Sequence, residues 1–153
     1  MADQTDSRYK GVKGWLLLFC VSLTVLDPLA TLLNVLAVTS AAKPQFEENQ
    51  GLFRLVLIGG ISVIALRVYG IYTGIALWKV VPNALAIVRK YLFVVFLYSV
   101  FTVFLPKLAG VPEETYQETS HVSLVNACLT VLYVMLWYLY LNKSRRVKAT
   151  YGS

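Results

Sequence analysis

Between Val122 and Leu141 the chain runs for 20 residues without one charged side chain. A helix crossing a hydrocarbon core of about 30 Å needs roughly that many apolar residues. Three further apolar runs stand upstream. One extends from Gly14 to about Val38, broken only by Asp27 and Pro28. The next extends from Leu52 to Trp78 and contains Arg54 and Arg67. A third runs from Pro82 to Leu105 with Arg89 and Lys90 near its start. Its uncharged part is short, but Pro82 suits a first helical turn and the two cations can snorkel back to the headgroups. No alternation typical of barrel strands is present. In lipid each backbone polar group must be satisfied within its own segment, which leaves helices.

The expectation is an all-α polytopic membrane protein, an antiparallel four-transmembrane-helix bundle with both termini on one side. Residues 1–153 form a single membrane domain, with spans at about 14–38, 52–78, 82–105 and 122–141. Composition agrees: 58% of residues are hydrophobic and 14% charged, against about a quarter charged in soluble domains. The connectors are 39–51, the very short 79–81, and 106–120, all too short to separate two domains.

Charge placement predicts orientation. Arg8, Lys10, Lys13, Lys79, Arg89, Lys90, Lys143, Arg145, Arg146 and Lys148 lie on the side of the termini. Lys43, Arg54 and Lys107 lie opposite, together with the loop glutamates 47, 48, 113, 114 and 118. Cationic loops stay in the cytoplasm, so both termini are expected there. Trp15, Trp78, Trp137, Tyr138 and Tyr140 then fall near the same interface. The first run is longer than a signal-peptide core and is expected to be a permanent anchor. Cys20 and Cys128 differ in depth by roughly 10 Å at 1.5 Å per residue, too far for a disulfide.

Two charges fall inside the apolar runs. Asp27 is about 20 Å from Gly14, and Arg67 is about 16 Å from Trp78 on the same side. Each costs roughly 2.5–3.5 kcal/mol at a helix centre on insertion scales, so pairing is expected. Cys20, Thr24, Asp27, Thr31 and Asn34 form one stripe on the first helix. Gly60, Arg67, Gly70 and Gly74 share a face of the second, where Gly70 and Gly74 make a small-xxx-small pair for close helix approach. Asn126, Thr130, Tyr133, Trp137 and Tyr140 follow similar spacing on the fourth. These residues are candidates for a polar seam or a small cavity. The charge pair is either architectural or the centre of a ligand, ion or proton site. Phe93, Phe96, Phe101 and Phe104 on the third helix read as packing or lipid-facing.

Catalytic patterns are missing. His121 is the single histidine, which excludes an HExxH zinc site. Ser120 and Ser123 beside it more readily cap a helix. There is no phosphate-binding loop, dinucleotide fingerprint or Gly-x-Gly-Asp motif. The expectation is no enzyme, no cofactor, no metal site and no nucleic-acid partner. The cationic cluster Lys143, Arg145, Arg146 and Lys148 is placed to meet anionic lipid headgroups, at about 1 kcal/mol per residue.

The segments Lys10-Gly-Val-Lys-Gly-Trp-Leu-Leu-Leu18 and Tyr140-Leu-Asn-Lys-Ser-Arg-Arg-Val-Lys-Ala-Thr150 resemble the two ends of the bacterial proteins filed as domain of unknown function 2569. The resemblance implies a bacterial cytoplasmic (inner) membrane and a four-helix bundle, and no activity or catalytic residue. Two functions follow as expectations. One is a non-enzymatic binding or assembly component that meets lipid, a membrane protein or a second copy of itself. The other is a small transporter or channel-like protein with an intramembrane site around Asp27 and Arg67. Small multidrug transporters are similar in having four helices and an acidic residue in the first; Arg67 departs from them.

Overall fold

The structure, a computed structural model, describes residues 11–151, the side chains at positions 114, 115, 118 and 119 excepted. Arg8 and Lys10, and the side chains of Glu114 and Glu118, therefore lie outside the described residues. Those residues are helical nearly throughout, with no strand among them.

The first span opens as α1 (Trp15–Val21), widens into a π turn over Ser22–Leu26, and continues as α2 (Asp27–Ala42). A 3-10 turn, Lys43–Gln45, ends it. Pro28 explains the wide turn. It has no N–H to offer, and in a regular helix its ring would strike the carbonyl four residues back. The Asp27 N–H instead reaches the carbonyl of Ser22, five residues back, a geometry frequent at functional sites.

Helix α3 (Gln50–Trp78) is capped by Asn49, whose Oδ1 accepts from the Leu52 N–H at 2.9 Å. Helices α4 (Ala84–Leu108), α5 (Glu113–Lys143) and the short α6 (Arg145–Tyr151) complete the fold. Four helical segments are long and apolar enough to cross a membrane: Trp15–Gln45, Gln50–Trp78, Ala84–Leu108 and Ser120–Lys143.

The boundaries differ from the hydropathy reading in three places. Pro82 lies outside α4, because Asn83 adopts a left-handed conformation (φ 67°) that ends the preceding turn. Pro106 lies inside α4, buried, and the helix runs on to Leu108. The connector read as 106–120 shrinks to 109–112, since Glu113 begins α5 directly after Pro112. An acidic residue in a first turn complements the helix dipole.

Both tight corners use the same device. At the end of α4 the Gly110 N–H reaches the Lys107 carbonyl and the Val111 N–H reaches that of Pro106. This is a Schellman cap with a left-handed glycine (φ 73°), Pro112 following it. At the end of α3, Val80 (φ 49°) holds the corresponding position, with Val80 N–H to Leu77 and Val81 N–H to Ala76. A β-branched residue is rare in that conformation.

Each span packs on the next in sequence, and α4 lies between α3 and α5. The core sits toward the end that carries Gly11 and Tyr151, called here the terminal end. Leu16, Phe19, Cys20 and Leu23 from the first span meet Leu77, Leu85, Val88, Tyr91, Trp137 and Leu141 there. Phe19 stacks on Trp137 with ring centroids 4.2 Å apart, tying the first span to the fourth. Between membrane helices the attraction is packing rather than water exclusion, so close backbone approach matters. A Cβ at Gly74 would lie 2.6 Å from Thr24 Cγ2 and 3.3 Å from the Cys20 carbonyl oxygen. At the far end a Cβ at Gly51 would strike the Gly110 carbonyl.

The cationic C-terminal segment folds back as α6. The Ser144 Oγ accepts from the Val147 N–H at 3.4 Å and starts the turn. Val147 is fully buried. The Tyr151 hydroxyl donates to the Leu77 carbonyl at 2.7 Å, and the Gly11 N–H donates to Thr150 Oγ1 at 3.2 Å. Burial pushes the Tyr151 phenol well above its ordinary pKa, which keeps it a donor.

Candidate intramembrane site

The π turn delivers Asp27 about 18 Å along the first span from Trp15. Its Oδ2 lies 3.6 Å from Arg67 Nη1. The side chains remain 24% and 30% exposed respectively, so the contact is loose and opens onto a cavity. Two hydroxyls hold the charges in place. The Ser22 hydroxyl donates to Asp27 Oδ1 at 3.0 Å. The Arg67 Nε–H donates to Thr31 Oγ1 at 2.7 Å.

Above the pair a cavity of about 530 Å³ is walled by Asp27, Thr31 and Asn34 from α2, Arg67 from α3, Tyr91 from α4, and Asn126, Thr130 and Tyr133 from α5. A second cavity of about 460 Å³ shares Asn34, Val35, Val63, Asn126 and Thr130 with it. It extends past Val38, Val56 and Leu105 to Thr39, Ala42 and Leu52. Together they form one groove between the first and fourth spans, running from the charge pair to the far end. Its upper wall is largely apolar and its floor polar.

The asymmetry has a structural cause. Below the π turn, α1 buries three of its seven residues, whereas α2 buries none. Among the described residues no hydrogen bond, ion pair or ring contact joins 27–42 to the fourth span.

The expected stripes divide along this boundary. Asp27, Thr31 and Asn34 line the groove. Thr24 does not: its hydroxyl returns to the Cys20 carbonyl at 2.8 Å and its methyl faces Gly74. Cys20 is buried in the terminal core. On α5, Asn126, Thr130 and Tyr133 line the groove, while Trp137 stacks on Phe19 and Tyr140 packs edge-on against Trp137. The glycines serve different neighbours. Gly74 meets the first span, Gly70 receives the Tyr91 ring of α4 with its hydroxyl 3.0 Å from a Cβ position, and a Cβ at Gly60 would lie 4.0 Å from Val35 Cγ1. Lys143, Arg145 and Lys148 are exposed around α6, and Arg146 is half-buried beside Gly14. Arg89 Nη2 donates to Asn142 Oδ1 at 3.0 Å, linking α4 to α5.

Ser22 and Tyr91 were not anticipated. Ser22 is five residues from Asp27, off any α-helical stripe, and Pro28 was the one signal of the wide turn. Tyr91 sits among apolar residues in a run that shows no polar periodicity. Cys20 and Cys128 are both unbridged. Among the described residues no group of three or more metal-ligating side chains comes together.

A family model described as "Protein of unknown function (DUF2569)" matches residues 9–152. No curated protein and no solved structure matches the chain.

Proposed function

The chain belongs to that family of unknown function, and from this premise we propose that it is a non-enzymatic membrane protein that binds an amphiphile in the groove between its first and fourth spans. One observation carries the reading: a groove with apolar upper walls descends to a polar floor at Asp27 and Arg67. An apolar pocket with a few convergent polar groups is the ordinary form of a ligand site. The ten-to-three distribution of cations in the sequence supports a bacterial cytoplasmic membrane with both termini inside, and Lys143 at the end of α5, with Arg145 and Lys148 of α6, is then presented to anionic headgroups.

The test is removal of the ligand by filling the groove. Thr130 lines both cavities and is only half-buried. Thr130→Trp should leave helicity unchanged and abolish retention of the amphiphile that co-purifies in mild detergent. The same bound species in both proteins, identified by mass spectrometry, overturns the proposal.

A second reading, transport, is favoured by the groove's one-sided shape, open toward the far end and closed by the terminal core. In that case Asp27→Asn stays folded but abolishes substrate movement in vesicles while substrate binding persists.

A further inference from the structure

We infer that the ligand of this groove is the zwitterionic headgroup of a phospholipid, an oxyanion beside an ammonium, which enters sideways from the bilayer; this rests on the reading of the groove as an amphiphile site. Three observations converge on it.

The first is charge. The floor carries one carboxylate and one guanidinium, net zero, at a separation too long for a hydrogen bond. A ligand with a single charge would leave that charge uncompensated in a medium of low dielectric. A zwitterion leaves none, with its oxyanion on Arg67 and its ammonium on Asp27.

The second is unused hydrogen-bonding capacity. Arg67 spends Nε on Thr31, its Nη1 stands 3.6 Å from Asp27 Oδ2, and the Tyr91 hydroxyl is its further polar neighbour, which leaves donors of the guanidinium over for a ligand. The Tyr133 hydroxyl is buried beside Ser22 and has no partner in full hydrogen-bonding geometry. The side-chain amides of Asn34 and Asn126 are exposed on the two walls and make no hydrogen bond. Such groups are costly against hydrocarbon. Most of this capacity is donor, and a phosphate diester offers several acceptor oxygens in one group.

The third is access. Ala30 and Leu129 line the same groove and are exposed, so its side is open at the depth of the charge pair. A headgroup can slide inward along the facing rows of α2 and α5 while its acyl chains stay in the lipid. A free zwitterionic solute has the same head chemistry but needs no such lateral opening.

The experiment loads the full chain from vesicles of equal phosphatidylethanolamine and phosphatidylglycerol and reads bound lipid by native mass spectrometry. The wild type should favour phosphatidylethanolamine by about fivefold, the equivalent of roughly 1 kcal/mol. Asp27→Asn removes the ammonium's partner and should bring the ratio to one or invert it. Asn126→Leu, at an exposed position whose side chain makes no hydrogen bond, should lower total occupancy several-fold with helicity intact. Should Asp27→Asn fail to fold, the wild-type ratio and Asn126→Leu decide. Equal or greater binding of phosphatidylglycerol by the wild type overturns the inference. Displacement of the lipid by soluble phosphoethanolamine at matched concentration overturns the lipid source. If phosphatidylglycerol is retained and lost in Thr130→Trp, the groove still binds amphiphiles and only the zwitterion assignment falls. If no lipid is sensitive to Thr130→Trp, or a dimer buries Asn34 and Asn126 instead, both fall.

Discussion

The two halves of the first span are made of similar residues and do opposite things. Below the π turn, α1 places Leu16, Phe19 and Cys20 out of contact with any solvent, locked against α3 and Trp137. Above it, α2 has Leu29, Leu32, Leu33 and Leu36 more than half exposed. Hydrophobicity therefore does not decide which half is packed. In lipid a leucine gains little by leaving the acyl chains, so close fit decides. The lower half has Gly74 to approach and Phe19 to stack. The upper half has Gly60 at a looser distance, and a polar row that faces the groove.

The sharpest way to break the contrast is to trim one leucine on each side of the boundary. Leu77→Ala in the terminal core should cost about 3 kcal/mol through the cavity it leaves, whereas Leu36→Ala should cost less than about 0.5 kcal/mol; unfolding in mixed micelles measures both. Equal losses would mean that α2 is packed against something in the native membrane. Gly74→Ala should cost about 2 kcal/mol, because its Cβ must displace the π turn from α3. A neutral result would show that α1 and α3 do not approach as closely as described. Tyr151→Phe should cost about 1 kcal/mol by removing the bond to Leu77, and should raise protease access to α6. One small effect has the opposite sign. Val80→Gly should stabilise by about 0.5 kcal/mol, since glycine relieves the left-handed strain but loses more chain entropy on folding; a rise of a degree or two in the melting point checks it.

Much of this was legible in the residues. The four spans follow from hydropathy, and depth arithmetic on Asp27 and Arg67 brought the two charges to one level. What escaped was geometry that local pattern does not encode. Pro106 reads as a helix end, but α4 passes through it. Glu113 to Thr119 read as a polar loop, yet a helix needs no apolar face once it has left the membrane. The cations at 143–148 read as a cluster facing lipid headgroups, while Val147 among them and Tyr151 just beyond turn inward and dock the segment as α6. The stripe on the first helix follows α periodicity from Cys20 to Asn34 in the sequence. The π turn interrupts it, bringing Ser22 to Asp27 and turning the Thr24 hydroxyl back onto Cys20. Nothing in the residues indicated that the first and fourth spans would touch at one end and part at the other.

The wide turn has one more consequence, concerning angular register. A π turn holds one residue more than the α-helical turn it replaces, and one residue corresponds to about 100° of rotation. Everything beyond Leu26 is thus rotated by that angle relative to an uninterrupted rod. Deleting a single residue from 22–26 would swing Asp27, Thr31 and Asn34 together away from Arg67 and toward lipid, without altering the apolar length of the span. Among relatives, a one-residue gap at this point would mark chains that cross the membrane in the same way and yet have no charged floor.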